Sequence, residues 1–150
     1  MDDMKAALGR HPFFVGVPES VVAGALRQAE FLNWKKDEVI FRKGGRAHSV
    51  YLIRRGRVAV EMPAPDRGPV HIQWVRSGEV LGWSWLLPPY RWRFDARAHT
   101  ATRAIALPAA WMRTQCRRVP RLGNRVMKHT ADIIMNRWTR AVKRRLDAGR

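Results

Sequence analysis

The run Glu38-Val39-Ile40-Phe41-Arg42-Lys43-Gly44, followed after a short gap by Val50-Tyr51-Leu52-Ile53-Arg54-Arg55-Gly56-Arg57-Val58-Ala59-Val60, decides the fold. Val50 and Leu52, then Val58 and Val60, alternate with other residues at a period of two, the signature of half-buried strands. Gly44 and Gly56 stand where the chain must reverse, and a reversal favours positive φ and no Cβ. The pattern predicts two strands joined at Gly56, with a further strand before Gly44.

Reading outward, the period of two persists from Phe31 to Leu107. It marks Phe31–Trp34, Glu38–Arg42, Ser49–Arg54, Arg57–Met62, Val70–Arg76, Phe94–His99 and Arg103–Leu107 as strands. Lys43-Gly44-Gly45, Arg55-Gly56, Pro63–Pro69 and Ser77-Gly78 separate them as turns. Seven short strands at this spacing argue for a sandwich or barrel rather than βαβ units.

The flanks are helical. Residues 2–9 read as a short helix stopped by His11-Pro12, and Pro18-Glu19-Ser20 opens a second to about Ala29. Ala109–Arg117 is a third, and Pro120 begins a long one reaching about Leu146. The expected organisation is one mainly β domain with flanking helices: N-terminal helices over 1–29, a β-roll over 30–108, and a short plus a long helix over 109–150. On the long helix Leu122, Val126, Ile133, Ile134, Trp138, Ala141, Val142 and Leu146 fall mostly on one apolar stripe, with Arg and Lys opposite. That helix is longer than a small roll needs to cover. Its surplus points to a partner helix, most simply a second copy, through Val126, Ile133, Ile134, Trp138 and Val142.

Composition narrows the class. A chain of 150 residues, 46% hydrophobic and with seven Trp, can bury a core, which excludes intrinsic disorder. No apolar run approaches the roughly 20 residues of a membrane span. The acidic start Met1-Asp2-Asp3-Met4 is no secretory signal, and one cysteine, Cys116, excludes a disulfide framework, so the expected location is cytoplasmic. Lys and Arg number 29 against 12 Asp and Glu, a formal charge of +17. Residues 111–150 carry twelve cations against Asp132 and Asp147. That basic tail suits nucleic acid or an acidic protein. The five histidines are scattered at no metal-ligand spacing, and Ser84 lies in Trp-Ser-Trp rather than a nucleophile elbow, so neither a metal centre nor a catalytic site is expected. Arg113, Arg117 and Arg118 around Cys116 would lower its pKa if the thiol were exposed.

The helix–roll–helix order resembles the cyclic-nucleotide-binding domain of the CRP/FNR type. Glu38–Gly44 is similar to the family's "E-x-I-F-x-x-G" strand, Tyr51–Val60 to its "Y-x-I-x-x-G-x-V-x-V", and Gly78-Glu79-Val80-Leu81-Gly82 to the start of its phosphate-binding cassette, here spanning 78–97. The resemblance covers about residues 11–146 and implies a jelly-roll, or double-stranded β-helix, with a long C-terminal dimerisation-type helix. The segment from Gly82 to Ala98 also looks like a subgroup of stand-alone bacterial proteins of this type. CRP-type transcription factors continue into a winged helix-turn-helix. This sequence ends at Arg150, so sequence-specific DNA binding by this chain is not expected.

In that family, backbone N–H groups of a Gly-Glu turn and a short helix after it hold a cyclic phosphate. A Glu holds the ribose, and an Arg about fifteen residues past the Gly neutralises the phosphate. The resemblance places ligand-binding residues at Gly78, Glu79, Val80, Leu81, Gly82, Trp83, Arg91, Arg93 and Phe94, with a cAMP-type cyclic nucleotide as the implied ligand and no other cofactor. Trp83 stands where the ribose Glu is expected, and losing that carboxylate costs about 1.5–3 kcal/mol. Arg93 or Arg91 takes the phosphate Arg position, and Phe94 and Asp95 replace small residues, opposing the usual pose by bulk and by charge. Trp83, Trp85, Tyr90, Trp92 and Phe94 crowd twelve residues.

Two functions follow. One is a non-catalytic regulatory sensor that binds a small anionic ligand and signals through the C-terminal helix. The other is a ligand-free interaction module docking through its Arg-rich C-terminal face on an acidic protein or nucleic acid.

Overall fold

The computed structural model describes residues 2–148. They form two compact units, divided between Arg113 and Thr114. The first opens with helix α1 (Asp2–Arg10), a single 3-10 turn (Pro12–Phe14) and helix α2 (Glu19–Gln28). Eight strands follow: β1 (Glu30–Trp34), β2 (Val39–Phe41), β3 (Ser49–Arg55), β4 (Arg57–Met62), β5 (Val70–Arg76), β6 (Val80–Leu81), β7 (Asp95–Ala98) and β8 (Thr102–Pro108). Helix α3 (Ala109–Arg118) crosses the unit boundary, and α4 (Pro120–Ala148) lies in the second unit.

The strands make two four-stranded antiparallel sheets, β1-β8-β3-β6 and β2-β7-β4-β5, the jelly-roll arrangement. Ile53, Leu81 and Ala104 from the first sheet meet Val58, Val60, Val75 and Ala96 from the second in one core. The β3–β4 reversal turns at Gly56 with φ +95°, and Gly44 after β2 has φ +91°, as the turn reading expected.

In the first unit the structure corrects the sequence reading at two strands and extends it at His11. The sequence reading counted seven strands, whereas the described residues hold eight. The added one, β6, is two residues long, too short to show any periodicity. Strand β4 is not half-buried: Ala59 and Glu61 are buried on one face as Val58 and Val60 are on the other. His11-Pro12 does more than stop α1. The His11 ring accepts a hydrogen bond from the Phe13 amide and starts the 3-10 turn.

The apolar residues of α4 do not form one stripe. At about 100° per residue, Leu122, Val126 and Ile133 lie on a different face from Ile134, Trp138, Val142 and Leu146. Leu122 and Val126 are buried and Ile133 is half-buried. Met127, Ile134, Trp138, Val142 and Leu146 are exposed, Trp138 at 62%, and occupy an arc of about 120°.

Candidate functional site

The cassette begins at the Ser77-Gly78 turn, where Gly78 has φ +89°. The Gly78 amide donates to the Ile53 carbonyl (2.8 Å) and the Glu79 amide to the Arg76 carbonyl (3.1 Å). The Glu79 carboxylate accepts from the Arg76 amide at 2.7 Å, closing the turn on itself. Val80 and Leu81 then pair with Leu52 and Tyr51 as β6. The amides of Gly78 and Glu79 are therefore committed to turn and sheet. The family's short helix is absent between Gly82 and Tyr90. That stretch is a string of turns, with Leu86 donating to the Trp83 carbonyl (3.0 Å) and Tyr90 to the Leu87 carbonyl (3.0 Å).

Aromatic rings occupy the roll next to this turn. Trp92, 5% exposed, lies flat on Phe41 with centroids 3.8 Å apart and planes 4° from parallel. Tyr51 is 6.2 Å from Trp92 and 6.3 Å from Phe41, and Trp34 meets Tyr51 edge-on at 5.7 Å. Burial pushes the Tyr51 hydroxyl pKa up. Gly82, at φ +77°, makes room for this stack: a Cβ there would stand 2.8 Å from the Trp92 ring. Trp85 is fully buried, its indole N–H donating to the Gly82 carbonyl at 3.1 Å. Trp83 is half-buried, 5.8 Å from Trp85, and its indole nitrogen is buried with no hydrogen-bond partner.

The far arm of the cassette is tied to the β2–β3 turn. Trp92 exchanges hydrogen bonds with Gly44 and Gly45 (both 2.8 Å), and the Ala47 amide donates to the Tyr90 carbonyl (2.7 Å). Arg91 is exposed, and its guanidinium donates to the Gly44 carbonyl at 2.9 Å. Arg93 is exposed as well, and Phe94 packs half-buried against the core. Asp95 accepts from the Lys43 amide at 2.7 Å and lies 3.9 Å from Arg42, so its charge is held outside the aromatic stack. On the same strand Arg97 makes a two-pronged contact with buried Glu61 (3.1 Å each) and reaches Asp37 at 2.9 Å.

Of the residues marked from sequence, the structure places Gly82 against the aromatic stack, uses Gly78, Glu79, Val80 and Leu81 as turn and strand, and leaves Arg91 and Arg93 on the exposed side. Sequence reasoning missed the residues that close the site. Trp92 was read as one of several interleaved aromatics, and Phe41 and Tyr51 as strand residues only. Arg113 was counted as tail charge. It stacks on the Tyr90 ring at 4.0 Å and donates to the Trp85 carbonyl at 2.7 Å, pinning the cassette from α3. A separation of 28 residues from Trp85 leaves no local pattern that could reveal it. Cys116 is half-buried, so the condition for its activation is not met: burial outweighs Arg117 and its pKa is pushed up to about 11, which keeps it a thiol. Among the described residues no helix is long and apolar enough to cross a membrane.

Comparison with known proteins places this architecture. No curated protein matches the chain. Among solved structures, the sensor domain of the transcriptional regulator DNR from Pseudomonas aeruginosa superposes with a TM-score of 0.77 at 15% identity, over 93% of this chain and 95% of that one. A cyclic nucleotide-binding domain from Methylobacillus flagellatus gives 0.72 at 18% identity, over 98% and 85%. The regulatory subunit of a cAMP-independent protein kinase A from Trypanosoma brucei gives 0.64 at 19% identity, over 72% of this chain and 40% of that one. At these identities the likeness is one of fold. The family model described as the cyclic nucleotide-binding domain matches residues 31–118, more than half of the sequence, and the chain belongs to the cyclic nucleotide-binding domain family.

Proposed function

We propose that this protein is a non-catalytic regulatory module whose cassette is filled by its own side chains, and whose output is association of α4 with a second copy of the chain. The observation that carries the first half is Trp92 stacked on Phe41 beside Gly82. A ring stacked flat on Phe41 and only 5% exposed leaves a purine or ribose to displace it, and with it several kcal/mol of packing. The commitment of the Gly78 and Glu79 amides removes anion donors that the family's ligand uses. That a neighbour of the same fold is described as cAMP-independent fits this reading. Titration calorimetry against cAMP, cGMP and cyclic dinucleotides is expected to show no binding up to millimolar ligand; saturable heat with any of them overturns the closed cassette.

One observation favours the ligand-bound alternative. The partnerless indole N–H of Trp83, a residue that directly follows the cassette turn in sequence, is a donor that an anionic ligand's oxygen would satisfy. Under that reading calorimetry gives heat, and Trp83→Phe, which keeps the ring and removes the donor, weakens it.

The second half of the proposal rests on the exposed face of α4. Met127 to Leu146 spans about 28 Å of helix at 1.5 Å per residue, and a contiguous apolar strip of that length marks an interaction surface. Two copies of the same strip are self-complementary across a two-fold axis. Sedimentation equilibrium is expected to give a dimer, and Trp138→Glu to weaken it by about 30-fold, equivalent to the roughly 2 kcal/mol of a buried aromatic anchor. A monomer at all concentrations rejects this output.

A further inference from the structure

A polar cavity is lined by none of the rings of the aromatic stack. It measures about 230 Å³ and is bounded by the end of α1, the β3–β4 reversal and the β5–β6 turn. Its charged lining consists of Arg10, Arg54 and Arg55, with His11, Ser77 and Gly78 completing the polar wall and no carboxylate among the lining residues. The ion pairs of the described residues involve Arg42 and Arg97, and none of the three lining arginines takes part in one. In a chain with only 12 acidic residues, three arginines thus line one concavity that no carboxylate lines.

The cavity is built from ordered parts. His11 is buried and fixed at both ring nitrogens: Nδ1 accepts from the Phe13 amide at 3.2 Å, which leaves Nε2–H to donate to the Ile53 carbonyl at 3.1 Å. The ring is therefore neutral. Burial lowers its pKa, the bond to the Ile53 carbonyl opposes this, and the nearby charge of Arg54 adds to the lowering. Arg54 itself is seated over the Phe31 ring at 4.8 Å, and the Ser77 hydroxyl donates to the Arg54 carbonyl at 2.6 Å. Arg10 is held at the C-terminus of α1 by its Nε bond to the Ala6 carbonyl (3.2 Å), leaving its terminal nitrogens available.

We propose that this cavity is a binding site for a small phosphate dianion, either free inorganic phosphate or the terminal phosphoryl group of a small phosphomonoester. Guanidinium forks match the paired oxygens of a tetrahedral oxyanion, and three of them around one concavity favour a dianion over a monoanion. The volume lies below the 300–1,000 Å³ of sites for drug-sized ligands, which sets the occupant as small. A dianion held here ties α1 to the β3–β4 reversal and to the Ser77-Gly78 turn that opens the cassette. The site stands independently of whether the cassette is closed.

Calorimetric titration with inorganic phosphate and, separately, glycerol 3-phosphate, at constant ionic strength in chloride, tests it. One of the two is expected to bind saturably at one site per chain. The double variant Arg54→Gln/Arg55→Gln is expected to lose at least tenfold in affinity, and Arg140→Gln/Arg144→Gln on α4 to lose less than twofold. Should the first variant fail to fold by circular dichroism, Arg10→Gln on the exposed helix end gives the same readout. Binding of inorganic phosphate identifies the free ion as sufficient; binding of glycerol 3-phosphate alone identifies the phosphomonoester. No saturable binding of either, an unchanged affinity in the cavity variants, or an equal loss in the α4 control overturns the proposal, the last because it reports only attraction to the net charge.

Discussion

Trp92→Ala is expected to destabilise the roll by about 3–5 kcal/mol, the range for removing a large buried aromatic. The indole is 5% exposed and lies flat on Phe41, with Tyr51 beside the pair at 6.2 Å. The backbone bonds of Trp92 to Gly44 and Gly45 survive the substitution, so the chain path is kept and neighbouring rings cannot collapse far into the space. A cavity that cannot collapse puts the cost in the upper part of that range. Urea unfolding followed by circular dichroism measures it, with the slope unchanged if only stability is affected. Trp92→Phe, which keeps a ring on Phe41, is expected to cost less than half as much. A loss below about 1 kcal/mol for the alanine variant would mean that Trp92 is not part of the packed interior.

Gly56→Ala is the second large effect, expected at about 3 kcal/mol or more. Gly56 has φ +95°, a region that an L side chain occupies only with about 1–3 kcal/mol of strain. A Cβ there would also stand 2.5 Å from the Ala101 carbonyl oxygen and 2.7 Å from the Thr102 hydroxyl. The Ala101 oxygen is backbone of the β7–β8 connection and the Thr102 Cα, 2.8 Å away, is backbone of β8, so the overlap is not relieved by rotating a flexible side chain, and overpacking of this kind adds about 1–3 kcal/mol. Gly44→Ala is the informative control. Its φ is +91°, yet no atom lies within 4 Å of the would-be Cβ, so it carries strain without overlap. Thermal unfolding of the pair separates the two costs, and equal losses would show that the overlap at Gly56 relaxes freely.

The glycine comparison shows how far local pattern reaches. From the alternation of Val50, Leu52, Val58 and Val60, the position of both reversals is legible, because side-chain direction in a strand has a period of two whatever lies across from it. The strand bounds follow within a residue or two, and the long helix begins at Pro120 as its sequence implies. What the alternation cannot express is a strand of two residues, or a second buried face on β4. Both depend on what covers the strand: β6 exists because Leu52 and Tyr51 present free edge groups to Val80 and Leu81, and Glu61 is buried because Arg97 on β7 meets it.

The cassette divides in the same way. Its Gly78-Glu79 opening and its crowd of aromatic rings are visible in the sequence, and so is the resemblance that names them. Which ring enters the roll is not. Trp83, Trp85 and Trp92 are chemically alike and close in sequence, and the choice falls on Trp92 because Gly82 and Phe41, ten and fifty-one residues away in the numbering, leave a slot of its thickness. Likewise Arg113, Arg54 and Arg55 are ordinary members of an Arg-rich composition until folding carries one onto Tyr90 and sets the other two beside Arg10. On α4 the composition suggested one stripe, and helical geometry separated it into a buried and an exposed face.

Fold class, turn positions and family were within reach of the chain read alone, since each is encoded by neighbours a few residues apart acting through backbone sterics and side-chain periodicity. The filling of the roll, the pinning of the cassette and the gathering of unpaired cations around His11 rest on groups brought together across tens of residues. Such contacts are set by packing density and by the pairing of buried charge, and only the folded chain holds that information.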